Sequence, residues 1–370
     1  MLHPLCMRVC CAGLVFAQLV SVIAAQTHES VSKYAELIPQ HLLGLVHAPQ
    51  SQQELQLTDG QVQQLGALFA EIDTPWFQLR ILPAEKQREL IVKLEQRVRN
   101  WFQENTSAAQ QTRLDQLECR AQGVRMLLRQ DVKGKLKLES SQQEALAELA
   151  RAANAATQKL HSATMKNAVT DELTQEVSAA IQAEQKSVAT ILRPEQLQQL
   201  KPLLGDPFDT AQLKRIYPLA PELVSVEHWI NSEPLTLQQL RGKVVLVHFY
   251  AFQCHNCHAN FDHYKNWSEK YNSDEVVVIG IQSPETSRER DPQAVREAAA
   301  ESGLQFPILI DLESENWKKW SNTMWPTVYV IDKQGYLRHW WQGELNWQGA
   351  TGDKTIEDLV SQLLQEDTPT

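Results

Sequence analysis

The sequence predicts a chain of two parts, an all-helical N-terminal region followed by an α/β region in which a mixed sheet is flanked by helices. Three observations lead there. Before residue 205, apolar residues recur at helical spacing in four long stripes with almost no strand-like run. Between 205 and 221, Gly205-Asp-Pro-Phe and Tyr217-Pro-Leu-Ala-Pro221 form breaker clusters of the kind that join domains. Beyond them, short β-branched runs alternate with helical patterns, the grammar of a sheet covered by helices.

Length and composition agree. At ~150 residues per domain, 370 residues suggest two domains, and 43% apolar with 22% charged residues suits an ordinary core and surface. The net charge is −10, and no basic stripe is present to neutralise phosphates, so no nucleic-acid partner is expected. Six cysteines in a chain this long are too few for a disulfide scaffold.

Residues 1–25 read as an export signal. Arg8 ends a short n-region, Val9 to Ala25 is apolar except for Gln18 and Ser21, and small residues precede polar Gln26-Thr-His-Glu-Ser30. The expected location is therefore exported, periplasmic or otherwise extracytoplasmic. A seventeen-residue segment sits at the lower limit for a span, so retention as a membrane tether is the alternative to cleavage. Cleavage removes Cys6, Cys10 and Cys11 and leaves Cys119, Cys254 and Cys257 in a compartment where disulfides persist.

Residues 30–205 are expected to form a helical bundle or hairpin array. Leu90, Ile91, Leu94, Val98, Trp101 and Phe102 make one stripe, and Leu114 to Leu128, Leu146 to Leu160 and Leu173 to Ile191 contain three more. A faint repeat opens several of them. Leu57-Thr-Asp-Gly-Gln61, Leu138-Glu-Ser-Ser-Gln142 and Leu192-Arg-Pro-Glu-Gln196 are copies, with Gln111-Thr-Arg-Leu114 a degenerate fourth. Thr58 is expected to cap with Gln61 and Ser140 with Gln143, and Pro194 suits a first helical turn. The motif resembles the Leu-Thr-x-x-Gln signature of Spy/CpxP-type periplasmic helical proteins over five-residue patches only. Cys119 lies in a helical pattern and is expected to be a buried inert thiol. Such helices could also hold clients or build a helix-mediated oligomer.

A linker is expected over 206–221 and the α/β domain over 222–370. Strands are expected at Val244–Val247, Val276–Ile281, Phe306–Ile310, Thr327–Ile331 and around Trp340, with helices at Cys254–Tyr271, Pro292–Ser302, Glu313–Ser321 and Thr355–Leu364. The last two strands form a hairpin around Lys333-Gln-Gly335.

Cys254-His-Asn-Cys257 follows the first apolar strand and opens a helix. Thiols at i and i+3 on a first helical turn can reach disulfide geometry. The first also faces free backbone N–H groups and the positive end of the helix dipole, which stabilise a thiolate. Cys254 is the expected nucleophile and Cys257 the resolving thiol, with protein thiols and disulfides as substrates and a second, unidentified redox partner. His255, if protonated, would stabilise the Cys254 thiolate further.

Leu240-Arg-Gly-Lys-Val-Val-Leu-Val-His-Phe-Tyr-Ala-Phe-Gln-Cys-His-Asn-Cys257 and Trp325-Pro-Thr-Val-Tyr-Val-Ile-Asp-Lys-Gln-Gly335 resemble the thioredoxin fold in its exported TlpA/ResA form. Ser283-Pro-Glu, Asp291-Pro-Gln-Ala-Val-Arg296, Phe306-Pro and Trp325-Pro are most similar to the redoxin part of DipZ-like proteins. The likeness covers about residues 217–366. It implies that Pro326 is cis and faces the cysteine pair, so that Trp325 and Pro326 form the substrate-facing wall. Where thioredoxin carries an acidic residue six places before its first cysteine, this chain has His248, expected as a hydrogen-bonded core residue rather than a proton relay. The Trp usual before that cysteine is Gln253.

Other chemistries fit these residues less well. Cys254-His-Asn-Cys257-His258 is literally a c-type haem string, with Met324 as a conceivable distal ligand. A peroxidase-type redoxin would carry a hydroxyl residue three places and a proline seven places before the attacking cysteine, where Ala251 and Val247 stand. Thiols with His255, His258 or His263 make only a partial soft-metal site. The sequence therefore calls for no cofactor and no metal, and a client-binding helical protein with an accessory redox domain remains the non-enzyme alternative.

Overall fold

The structure is a computed structural model that describes residues 33–164, 168–210, 213, 217–271 and 273–366. The export segment 1–25 and its three cysteines lie outside the described residues. The helices are α1 (Leu42–His47), α2 (Pro49–Glu54), α3 (Asp59–Gln78), α4 (Ala84–Asn105), α5 (Ala108–Gln122), α6 (Gln130–Leu136), α7 (Ser140–Thr164), α8 (Asp171–Ile191) and α9 (Pro194–Leu204). Strands β1 (Trp229–Ile230) and β2 (Val244–Tyr250) follow, then α10 (His255–Lys270), β3 (Val276–Gln282), α11 (Pro292–Glu301), β4 (Ile308–Ile310), α12 (Glu315–Lys319), β5 (Thr327–Ile331), β6 (Leu337–Gln342) and α13 (Gly352–Gln365). The two-part fold class is therefore as expected. Among the strands only the two-residue β1 was not expected, and among the helices the short α1, α2 and α6 fall outside the expected stripes.

The chain divides into two compact units, and the division differs from 30–205 and 222–370. Residues 116–208 group with those before 40, whereas 40–115 share a unit with 209–370. The expected linker thus does not part all the helices from the sheet. The physical reason is Phe77 at the end of α3, which is buried in the same apolar cluster as Leu237, Leu240, Phe249, Trp320 and Tyr329 of the α/β region. Periodicity reveals that a helix has an apolar face, not what covers that face.

In the first unit, α7 and α8 pack along each other. Small residues at Ala147, Ala150, Ala153 and Ala156 are fully buried there, and Arg125 reaches Glu184 through Nε–Oε1 at 2.6 Å and Nη2–Oε2 at 3.0 Å. Cys119 lies in this unit's core beside Leu127, Leu128 and Leu146.

The repeat proves to be paired helix starts. Thr58 and Gln61 form the expected capping box. The expectation at Ser140 is corrected: the N–H of Glu139, not Ser140, donates to Gln142 Oε1 at 3.0 Å, while Gln143 is buried and donates to the Leu127 carbonyl. The fourth copy also moves, to Ser107 and Gln110, where Ser107 N–H donates to Gln110 Oε1 at 2.9 Å. The glutamines then pair, Gln110 with Gln61 in one unit and Gln142 with Gln196 in the other. Each also donates to the carbonyl ending a neighbouring segment, as Gln61 does to Asn105 and Gln142 to Ile191. A five-residue pattern recurs because one amide side chain can serve two helix ends.

In the second unit the six strands lie in the order β1-β4-β3-β2-β5-β6. β2, β3 and β4 are mutually parallel, while β1, β5 and β6 run antiparallel to their neighbours, so the sheet is mixed as expected. β2 is buried along its whole length, which explains its unbroken apolar run. Val244, Leu246 and Tyr250 face one cluster with Phe261, Tyr264, Ile356 and Val360. Val245, Val247 and Phe249 face the other, which includes Phe77. At the β5–β6 turn, Asp332 Oδ1 accepts from the N–H groups of Gln334 and Tyr336, and Gly335 takes a φ of 89° that favours glycine.

Candidate active site

Chain direction brings the site together. β2 ends at Tyr250 and leads through Ala251-Phe-Gln253 to Cys254, the residue that caps α10 with extended backbone. β5 runs antiparallel beside β2 with Thr327 opposite Phe249, so the Trp325-Pro326 turn entering β5 lies at the same end of the sheet as the thiols. The Trp325–Pro326 peptide is cis. Cys254 and Trp325 pack against the same apolar cluster, which contains Cys257. Trp325 is half-buried and stacks on Trp317 at 4.0 Å between ring centroids.

The two thiols are opposites. Cys254 is half-buried and Cys257 fully buried. A hydrogen bond from Cys257 holds the Cys254 thiol below its ordinary pKa, helped by the backbone N–H groups of Cys257 and Asn256 and opposed by partial burial and the Glu285 carboxylate. The same contact with Cys254 pushes Cys257 far up, and burial pushes it further. One thiol is thus biased toward the thiolate and the more buried one toward its protonated form.

The supporting residues divide. His255 is exposed on the first turn of α10, and His258 points its Nε2 at the Phe252 carbonyl at 2.7 Å. His248 is a core residue, but the expectation that it is hydrogen-bonded is corrected: neither ring nitrogen meets a protein partner. It is clasped by aromatics instead, stacked on Tyr264 at 3.9 Å and edge-on to Phe306 at 5.1 Å. Burial lowers its pKa from 6.5 to about 3, so the imidazole is neutral. Gly280 on β3 makes room for it, since a Cβ there would lie 3.2 Å from His248 Nε2.

Glu289 escaped the sequence reading. In Ser287-Arg-Glu-Arg-Asp291 it looks like one more surface charge, yet it is fully buried. Its carboxylate accepts from the N–H groups of Gln253 at 2.7 Å, Glu285 at 2.7 Å and Thr286 at 2.8 Å. Thr286 Oγ1 also donates to Gln253 Oε1 at 2.5 Å. The loop after β3 is thereby pinned to the residue immediately before Cys254. Charge-assisted bonds of this kind are the strong ones. The sole sequence signal was position, a few residues beyond the end of a buried strand.

The AhpC/TSA family profile matches residues 220–340. The thiol-disulfide oxidoreductase YkuV of Bacillus subtilis (strain 168) is 33% identical over 147 residues, covering 40% of this chain and 94% of YkuV. The chain belongs to the thioredoxin-like thiol-disulfide oxidoreductases. Within that family, Protein DipZ of Mycobacterium tuberculosis (strain CDC 1551 / Oshkosh) is 37% identical over 154 residues, 40% of this chain, but the chain spans only 21% of DipZ. The thiol-disulfide oxidoreductase ResA of Bacillus thuringiensis subsp. konkukian (strain 97-27) is 26% identical over 150 residues, covering 40% of this chain and 77% of that protein. The resemblance to TlpA/ResA-type and DipZ-like redoxins drawn from separated motifs is borne out.

Proposed function

We propose that this protein is an exported thiol–disulfide oxidoreductase that exchanges a Cys254–Cys257 disulfide with protein thiols. The opposed states of the two thiols, one lowered in pKa and the more buried one raised, carry the reading. The Cys254 thiolate attacks one sulfur of a partner's disulfide, forming a mixed disulfide and expelling the other sulfur as a thiolate that takes a proton. Cys257 then gives up its proton and attacks the Cys254 sulfur, releasing the partner's second thiolate. Two electrons pass to the partner, and Cys254–Cys257 is left oxidised. The reverse sequence donates the disulfide. Trp325 and Pro326 line the approach to Cys254, and Glu289 holds Gln253 so that the nucleophile keeps its place at the helix end. Export rests on the pattern of residues 1–25. No described helix is long and apolar enough to cross a membrane.

The test is reduction of insulin disulfides by the full chain with dithiothreitol as electron source. The wild type should accelerate reduction, while Cys254→Ser and Cys257→Ser should each fall to the rate of dithiothreitol alone. Activity retained by Cys254→Ser would overturn the assignment of the nucleophile.

A further inference from the structure

Within the second unit, α3 does more than cover the sheet. The C-terminal end of α3 and the turn Leu79–Ile81 after it place two side chains on the segment that leads into Trp325-Pro326. The Arg80 guanidinium lies 3.5 Å from the Phe77 ring centroid. Its Nη1 donates to the Phe77 carbonyl at 2.9 Å, tying the head group to its own turn. Its Nη2 donates to the carbonyls of Trp320 at 2.6 Å and Ser321 at 3.0 Å and to Tyr329 Oη at 3.2 Å. Two residues earlier, Gln78 Nε2 donates to the Lys319 carbonyl at 2.9 Å.

Those acceptors have a common position. Lys319, Trp320 and Ser321 are the last residue of α12 and the two after it, where helix carbonyls lack partners inside the helix and the dipole is negative. Ser321 also has a φ of 46°, in the left-handed region that a serine rarely adopts. The chain then passes Asn322, whose Oδ1 accepts from Tyr329 Oη at 2.9 Å and whose Nδ2 donates to the Met324 carbonyl at 3.1 Å. Arg80, Tyr329, Asn322 and Met324 therefore form one hydrogen-bonded line that ends one residue before Trp325.

We propose that Arg80, with Gln78, is a positioning residue that fixes the substrate-facing wall of the cysteine site, so that helix α3 sets how a protein disulfide docks without touching the thiols. The proposal rests on the exchange reading above for its kinetic consequence, but its structural consequence can be read without any activity. Nη2 shares its two hydrogens among three oxygens while Nη1 holds the Phe77 carbonyl, so both arms of the planar guanidinium are engaged, a fork that a lysine ammonium cannot match.

The experiment uses the full chain and the variants Arg80→Ala, Arg80→Lys and Gln78→Ala. Hydrogen exchange followed by mass spectrometry should show amides of residues 319–326 exchanging at least about ten-fold faster in Arg80→Ala, with 244–250 unchanged. Arg80→Lys should fall between that variant and wild type, and Gln78→Ala should give a smaller acceleration in the same segment. Insulin reduction should then show KM raised several-fold with kcat kept, while the small disulfide 5,5′-dithiobis(2-nitrobenzoate) is attacked at the wild-type rate. Unchanged exchange at 319–326 in a folded variant would overturn the proposal, whatever the activity. Equal losses toward insulin and the small disulfide would overturn it too, because the thiols and not the wall would then be affected. If Arg80→Ala does not fold, Arg80→Lys and Gln78→Ala decide by the same two readouts. Complete absence of insulin reduction in wild type would defeat the exchange reading and leave the hydrogen-exchange result to judge the wall.

Discussion

The two walls of the cysteine site are built in different ways. On the thiol side, strand, loop and helix follow one another within about thirty residues, and Cys254 and Cys257 are set by local chain direction and by each other. On the proline side, the segment from Lys319 to Pro326 is held by Gln78 and Arg80, about 240 residues earlier in the chain. The difference teaches where variation can enter. Changing the thiol wall alters the chemistry, because the nucleophile's pKa depends on the helix end and its neighbour. On the proposal above, changing the proline wall through α3 would alter what docks there with the cysteine motif untouched.

Three substitutions break or sharpen that contrast. The largest effect is expected at His248, inside the strand that leads to the thiols, and depends on pH. The folded protein keeps His248 neutral down to about pH 3, whereas the unfolded chain protonates it near 6.5. The folded pKa is depressed, so full stability is present above 6.5 and is lost as pH falls toward 3, by roughly 4 kcal/mol at the acid end. His248→Phe should remove this loss, and the gap between variant and wild type in urea melts should open steadily from pH 6.5 downwards. A parallel fall in both proteins would show that the imidazole is not the group responsible. On the proline side, Phe77→Ala should cost about 3 kcal/mol through the cavity left in the sheet-face core. Near-wild-type urea stability would detach α3 from the fold of the α/β region. Smaller again, Glu289→Gln replaces an acceptor with an amide that turns two donors toward backbone N–H groups, at a cost of about 2 kcal/mol. Its iodoacetamide reaction at Cys254 should also slow, and an unaltered rate with intact stability would reduce Glu289 to an ordinary loop residue.

Legibility in the sequence followed the same divide. The pair Cys254/Cys257 and the buried run of β2 could be read because each is a local pattern whose physics acts over a few residues, the mixed sheet followed from the order of strands and helices, and the Trp325-Pro326 turn was reached only through the family resemblance. The docking of Phe77 and Arg80 could not, since an amphipathic stripe does not say what it faces. The fully buried Glu289 was hidden because a carboxylate satisfied by three backbone N–H groups looks, in sequence, like any exposed charge. The helix repeat was recognised but its fourth copy was placed at Gln111–Leu114 instead of Ser107–Gln110, because apolar spacing does not reveal which glutamine turns back onto the helix end. His248 was recognised as a core residue, yet the rings around it include Tyr264 of α10 and Phe306 before β4, which no local pattern joins to β2.

The central claim is that Cys254 attacks and Cys257 resolves. It is tested most directly by Cys257→Ser in the full chain, incubated with a peptide carrying a single intramolecular disulfide and mapped by mass spectrometry. The account predicts one peptide covalently held on Cys254, released by dithiothreitol and absent from Cys254→Ser. No adduct in Cys257→Ser, or an adduct carried by Cys119, would contradict it.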